Sequence, residues 1–413
     1  MIKFIHTADI HFGMENYGRV DAQTGIHSRL LDFNKAFEFC INKAIEENVD
    51  FFLFAGDAYK TTTPSPTQQK LFFKNLMKLH KANIPVVIII GNHDNPLSFG
   101  KSNSLEILSE LPIENFHIFS KPGILKLDTK NGPIQIVGIP WPTRNNLATS
   151  EKHMHKNSEQ ITQYISESVT ALIHNYAKQL DASIPSILAA HLTVANGIFS
   201  GSEKRAIYGT DPVFLPSDLA IKPFDYVALG HLHRHQNLNP NGYPNLVYSG
   251  SIERVDFGER KEKKGFCLIS IQEKNKTSYE FIETPTRNFI QVDVKLIKGE
   301  DQTKQILNAL SKYNLNDAIL KIIYHIPEGC ADKVDLKEIN TACANVMELV
   351  GAIPIRTQTE RIFRASVKTE MTLEELLANY FNSKPELKCK KEALIKRAME
   401  LQEEALSKAD EEL

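Results

Sequence analysis

Val86-Val87-Ile88-Ile89-Ile90-Gly91-Asn92-His93-Asp94 is the stretch from which the rest of the chain can be read. Five β-branched residues ended by glycine predict a strand buried on both faces that stops abruptly. Three polar side chains then crowd the loop at its C-terminal end, where open α/β sheets bind ligands. They make no sense as core, because a buried Asn, His and Asp would each need partners. An amide oxygen can hold a metal, an imidazole can pass a proton, and a carboxylate can orient the imidazole.

Four other apolar runs end the same way. Asp9 and His11 follow residues 2–5, Asp57 follows 51–55, His191 follows 187–190, and His231 with His233 follow 226–229. Asp9-x-His11 or Gly56-Asp57 alone is an ordinary turn. Two imidazoles at strand spacing beside Gly230 favour a metal. Together the donors are imidazole, carboxylate and amide without thiolate, which suits manganese, iron or zinc. They suffice for two ions sharing one carboxylate, the arrangement that clamps the attacking and leaving oxygens of a phosphoryl displacement at a spacing of about 3.5–4 Å. His93 is then left to protonate the leaving oxygen, with Asp94 as its orienter.

The intervening sequence reads as a frame for these strand ends. Periodicity predicts helices over 27–47, 66–81, 102–111 and 158–178. Strands are predicted over 116–119, 124–127, 133–139, 245–249, 265–271 and 278–283, with a long loop over 193–223. The order implies an α/β fold with two packed sheets and outer helices, a four-layer α/β/β/α sandwich over 1–284. After Pro285, strands at 289–296, 318–326 and 353–365 alternate with helices at 301–312 and 335–350, a small α/β capping domain over 285–370. In 371–413, Thr372-Leu373-Glu374-Glu375 reads as a capping box, and Pro385 begins a second, Lys- and Glu-rich helix. Leu376, Leu377, Tyr380 and Phe381 make an apolar stripe there with no evident core of its own.

Bulk properties exclude some classes. With 42% hydrophobic and 24% charged residues the 413-residue chain is globular rather than disordered. A net charge of −2 gives no support to a generally basic nucleic-acid binder, though metals and local basic patches can hold phosphates. The five cysteines, Cys40, Cys267, Cys330, Cys343 and Cys389, are scattered without a C-x-x-C pair, which fits a reducing cytoplasm. His6 and Asp9 interrupt any signal peptide, and no apolar run approaches the roughly 20 residues a membrane span needs. His6 reads as a packed strand residue. His27, His80, His117, His174 and His325 read as surface or element-end positions, and His153, His155 and His235 as unsupported neighbours of interesting stretches.

In this order, D-x-H, G-D, G-N-H-D, a lone His and G-H-x-H resemble the calcineurin-like metallophosphoesterases. His6-Thr7-Ala8-Asp9, Gly56-Asp57-Ala58-Tyr59-Lys60 with Pro64-Ser65-Pro66, and Tyr248-Ser249-Gly250-Ser251 narrow the resemblance to the SbcD nuclease branch. Phe257-Gly258-Glu259 and Lys264-Gly265-Phe266 belong to the same pattern. The resemblance implies two divalent ions, Mn²⁺ in that family. Asp9, His11, Asp57 and His233 would hold one, and Asp57, Asn92, His191 and His231 the other, with Asp57 bridging and His93 catalytic. It also implies DNA phosphodiester cleavage, as a 3′-to-5′ exonuclease on double strands and an endonuclease on single strands or hairpins, in DNA repair and recombination. A homodimer, with helices 67–81 and 102–111 as its expected face, would act with an SbcC-type ABC ATPase whose coiled-coil base receives the C-terminal helices. Lys60 stands where some relatives carry His or Asp; with Arg260, Lys261 and Lys263, within the basic stretch 254–264, it is an expected DNA contact. Two other readings compete. A stand-alone phosphatase or cyclic-nucleotide phosphodiesterase would leave the C-terminal helices without a role, and a non-catalytic scaffold would be expected to have lost donors.

Overall fold

A run of branched residues can be buried on both faces only between other layers, and a computed structural model shows how the chain supplies them. It describes residues 1–96, 102–111, 113–143, 158–201, 211–356, 372–382 and 390–411. The first half contains β1 (Ile2–Thr7), α1 (Ser28–Glu46), β2 (Phe51–Phe54), α2 (Pro66–Lys81), β3 (Val86–Ile89), α3 (Ile107–Glu110), β4 (Phe116–Phe119), β5 (Gly123–Thr129) and β6 (Gly132–Ile139). There follow α4 (Ser158–Gln179), β7 (Ser186–His191), β8 (Thr193–Val194), β9 (Val213–Phe214), α5 (Pro216–Leu219), β10 (Tyr226–Gly230), β11 (Gln236–Asn237), β12 (Asn245–Tyr248), β13 (Gly265–Glu273) and β14 (Lys276–Glu283).

Two six-stranded sheets result, in the orders β14-β13-β1-β2-β3-β4 and β11-β12-β10-β7-β6-β5. Strands β1 to β4 are parallel to one another, as are β6, β7, β10 and β12. Side-chain alternation sorts the core into layers. Phe4, Phe51, Leu53, Val87 and Ile89 face Ile134, Ile136, Ile187, Ala189, Tyr226 and Ala228 between the sheets. Phe4 stacks on Phe51 at 4.4 Å and meets Tyr226 edge-on. Ile5, Phe52, Phe54, Val86 and Ile88 point the other way, onto apolar residues of α1 and α2. Val137, Ile139, Leu188, Ala190, Val227 and Leu229 point outward onto Ile165, Val169 and Ile173 of α4. This is the expected four-layer α/β/β/α arrangement.

The third sheet is built from β15 (Phe289–Lys295), β16 (Ile319–Ile326) and β17 (Glu348–Arg356), all parallel, with α6 (Gln302–Leu310) and α7 (Leu336–Ala342) as crossovers. It has its own apolar core around Val292, Ile306, Ile322, Tyr324 and Ile339. Charge ties it to the sandwich: Arg287 forks onto Asp32 at 2.6 and 2.7 Å, and Asp32 also takes the fully buried Arg29 at 2.7 Å. At the end of the described chain, α8 (Leu373–Asn382) and α9 (Lys391–Glu411) pack on one another. The Thr372 capping box is present, with Glu375 N–H donating to Thr372 Oγ1 and Thr372 N–H to Glu375 Oε2.

Several expectations about elements need correcting. Only Ile107–Glu110 of the predicted helix 102–111 is helical, because the Asn103 side chain accepts from the N–H groups of Leu105 and Glu106 and holds a turn. The helix predicted over 335–350 stops at Ala342, since pairing with β16 draws the chain into a strand from Glu348. That strand therefore starts earlier than residue 353, and residues 357–365 lie outside the described residues. Loop 193–223 contains a short parallel pair, β8 with β9, and the four-residue α5. His117 and His174 lie half-buried within β4 and α4, while His27, the N-cap of α1, sits at an element end as expected. The Pro385 helix start, His153 and His155 lie outside the described residues. Among the described residues no helix is long and apolar enough to cross a membrane.

Candidate active site

Parallel strands deliver their C-terminal loops to one edge, and the sequence places polar residues on just those loops. The loops after β1 and β2 are zipped together: Asp9 N–H donates to Gly56 O at 2.9 Å, His11 N–H to Asp57 O at 3.1 Å and Phe12 N–H to Ala58 O at 2.9 Å. Asp9 crosses to the other sheet, where its carboxylate accepts from the His231 N–H at 3.0 Å. The packing leaves no room for larger residues. A Cβ on Gly91 would lie 2.1 Å from Asp57 Oδ1, and one on Gly56, at φ +100°, 2.3 Å from His191 Nδ1. Asp9, His11, Asp57 and His231 themselves adopt positive φ of 54°, 51°, 60° and 108°. Four non-glycine residues held in a disfavoured region at one spot are strain of the kind found at functional sites.

Every predicted donor converges here. Asp9, His11 and His233 bring ligand atoms within 4.8 Å of one another, as do Asp57, His191 and His231, and also His11, Asp57 and His93. His11 Nε2 faces His233 Nε2 at 2.9 Å, a pairing that needs a proton or a cation between two lone pairs. Asn92 Oδ1 is approached by His191 Nε2 at 3.0 Å and His231 Nδ1 at 3.1 Å. Asp57 Oδ2 lies 3.4 Å from His191 Nε2 and 3.8 Å from His11 Nε2, so one carboxylate oxygen is central to both groups. These nitrogen and oxygen donors fit a pair of divalent cations.

Electrostatics separate the rings. Burial pulls His11 well below the ordinary imidazole range and His231 down to about 3, so both are neutral and ready to ligate. Burial opposes a charge on His191 as well, but the adjacent Asp57 carboxylate outweighs it and raises this imidazole to about 9. Asp57 resists its own burial chiefly through the charged His191 and stays well below the usual carboxylate range.

Behind the donors lie residues whose part in the site no local motif announces. His233 Nδ1 donates to Glu259 Oε1 at 2.8 Å, and Glu259 Oε2 takes the buried Lys264 ammonium at 2.9 Å. Burial works against the charge on Glu259, and Lys264 with His233 more than offsets it, holding the acid at about 2. His191 Nδ1 donates to the carbonyl of Ala55 at 2.7 Å, which fixes its tautomer and turns Nε2 toward the donors. Glu259 and Lys264 stood in noted motifs, but only tertiary contact shows what they touch.

The expected role of Asp94 is corrected. Its fully buried carboxylate accepts from the N–H groups of Asp57, Ala58, Tyr59 and Gly91 at 2.8 to 3.2 Å. It therefore braces the loop that carries Asp57 and does not orient His93. Burial and the charge of Asp57 push it up to about 7 against those donors. His93 is oriented instead by Lys60, whose backbone carbonyl accepts from Nδ1 at 2.9 Å, while Asp57 Oδ1 accepts from the His93 N–H. A carbonyl can only accept, so the Nδ1 proton is fixed and Nε2 is the atom left to exchange one.

The basic stretch divides. Arg254 and Lys264 are structural, Arg254 donating to Arg287 O and Glu262 O at 3.0 Å. Lys261 is exposed, Arg260 donates to Phe257 O at 2.9 Å, and the exposed Lys263 pairs with Glu283.

Among solved structures, the chain is similar to a dimetal phosphatase from Danio rerio, at 10% identity and a TM-score of 0.41, over 68% of this chain and 98% of that one. The family model for calcineurin-like phosphoesterases matches residues 2–235, a stretch that holds every predicted metal donor. With more than half of its length in that match, the chain belongs to the calcineurin-like phosphoesterase family, hydrolases of phosphoester bonds.

Proposed function

We propose that this protein is a two-metal phosphodiesterase that cuts DNA, a nuclease of the SbcD type working with an ABC-type ATPase. Asp9, His11, Asp57 and His233 hold one ion, and Asp57, Asn92, His191 and His231 the other. When bound, two such cations activate a water and neutralise charge on the phosphoryl group. The chain's own residues do the rest. Asp57 keeps the two donor groups in one frame, and the N–H groups clamped by Asp94 hold its loop. His93, with Nδ1–H kept on the Lys60 carbonyl, acts as the imidazolium: it gives the Nε2 proton to the oxygen that leaves as the P–O bond breaks and is left as the neutral Nδ1–H tautomer. Burial draws this imidazole below its ordinary range against the pull of Asp57, so the imidazolium is a minor form at neutral pH, and one that passes its Nε2 proton readily to an oxyanion.

The observation that favours a partnered nuclease over a stand-alone phosphatase is the C-terminal helical pair. Tyr380 is 52% exposed, Leu401 50% and Leu394 37%, apolar surface that hydrolysis of a small ester does not require. In the proposed assembly α8 and α9 dock on the coiled-coil base of the ATPase, and the chain dimerises. Lys60, Lys261, Arg260 and Lys263 then contact DNA phosphates.

The test is Mn²⁺-dependent cleavage of end-labelled linear and hairpin DNA by the full chain, with and without the ATPase. A chromogenic phosphodiester and a phosphomonoester run alongside. DNA cleavage that EDTA abolishes is expected. Rapid monoester turnover with DNA untouched even beside the ATPase would overturn the nuclease reading in favour of a phosphatase.

A further inference from the structure

The chain has one tryptophan, Trp141, set between Pro140 and Pro142. Prolines on both sides restrict its backbone, and its N–H donates to Ile90 O at 2.9 Å. It is thereby pinned to the residue just before Gly91-Asn92-His93-Asp94. Its indole lies 4.8 Å from the His231 ring with 31° between the planes, and 6.0 Å from His191 at 74°. The two imidazoles lie 5.4 Å apart at 75°.

Two of the other ligand imidazoles are braced by polar groups, His233 by Glu259 and His191 by the Ala55 carbonyl, while His11 Nδ1 is buried without a hydrogen-bond partner. Among the described residues, no carboxylate or carbonyl backs the His231 ring. Its Nδ1 faces Asn92 Oδ1, so the ring plane is set from the side, and the indole occupies that side. We propose that Trp141 is a positioning residue for His231, holding the imidazole so that Nδ1 points to the spot shared by Asn92 Oδ1 and His191 Nε2. The inference rests on the reading of His231 as a metal ligand. It assigns Trp141 to one ion only, because the indole contacts neither His11 nor His233. An aromatic brace of this kind acts through ring orientation, and groups behind a ligand shift metal affinity by about 10- to 100-fold.

The position of Trp141 supplies its own readout. Mn²⁺ is paramagnetic and quenches a nearby indole, and no other tryptophan contributes. The experiment titrates Mn²⁺ into the metal-free full chain, counting free Mn²⁺ by electron paramagnetic resonance while following indole emission. Wild type is expected to bind two ions, with quenching that tracks the ion held by Asn92, His191 and His231. Trp141→Ala should weaken one binding event about tenfold, leave the other within about twofold, and melt near wild type when metal-free. Trp141→Phe, which keeps a ring, should restore affinity to within about threefold. Two ions bound to Trp141→Ala as tightly as to wild type would overturn the inference. Equal weakening of both ions without rescue by phenylalanine would also overturn it, since that marks a merely structural role. If Trp141→Ala does not fold, Trp141→Phe against Trp141→Leu decides, equal affinity in the two counting against a positioning ring. If wild type binds no Mn²⁺, the ligand reading itself falls, and the inference with it.

Discussion

The two halves of the donor cluster are built from the same residue types yet supported in opposite ways. The half with His11 and His233 leans on charge, through Glu259 and the buried Lys264. The half with Asn92, His191 and His231 leans on neutral groups, the Ala55 carbonyl and the Trp141 ring. A carboxylate behind an imidazole raises its basicity and adds negative charge near the cation, whereas a carbonyl or an indole mainly fixes geometry. On the proposed ligand sets, in which Asp57 is the one shared side chain, the two ions should differ in affinity, the Glu259-backed one being the tighter.

Removing that common side chain should do the most damage. Asp57→Asn is expected to lower phosphodiester hydrolysis by on the order of 10³-fold or more and to weaken both ions together. Steady-state rates with Mn²⁺ counting check this; loss of one ion alone would mean that the halves are independent. His93→Ala should reduce turnover about 10²- to 10⁴-fold while both ions still bind, because His93 handles a proton and lies outside the proposed ligand sets. Equal loss of metal would instead make His93 a ligand, which its place beside His11 and Asp57 permits geometrically.

Glu259→Gln probes the charged brace. It should weaken one ion about 10- to 100-fold and spare the other, the mirror image of the aromatic brace. It also takes one of two carboxylates from the buried Lys264 ammonium, which keeps Glu262 and the His233 carbonyl at 3.0 Å, so the cost to stability should be about 1–3 kcal/mol, measurable by denaturant unfolding. The pH dependence has a definite sign. Glu259 titrates at about 2 when folded against an ordinary 4.5, so it stabilises the protein fully above pH 4.5 and that contribution is lost as pH falls through about 2. The variant should lack this acid limb.

The smallest effect concerns protons. His191 titrates near 9 in the metal-free protein, so it carries a proton at neutral pH that a cation must displace. Affinity for the ion it holds should fall as pH drops below about 9, with close to one proton released on binding at pH 7. Calorimetry in buffers of different ionisation enthalpy measures that release. His231, held neutral by burial, should add none.

Much of this was legible from residue order because strand ends are local features. A β-branched run closed by glycine and followed by Asn, His or Asp names both the strand and the polar loop. Parallel strands then bring such loops to one edge whatever the intervening detail, which is why all the predicted metal donors meet. The four-layer arrangement was equally readable, since runs such as 86–90 leave no polar face for water. Element lengths were less readable where sheet pairing overrode helical pattern, as at Glu348, or where a side chain built a turn, as at Asn103.

Residue order could not decide which polar group serves which. Asp94 is adjacent to His93 in sequence, yet its carboxylate turns to the backbone of residues 57–59, and the orienting group is a carbonyl thirty-three residues away at Lys60. Glu259, Lys264 and Trp141 reach the site from distant segments, so no local spacing announces them. The donors and the layers could be read from residue order, because both follow from periodicity along one chain. The partners emerge only on folding, because a hydrogen bond depends on a few tenths of an ångström between atoms that lie far apart along the chain.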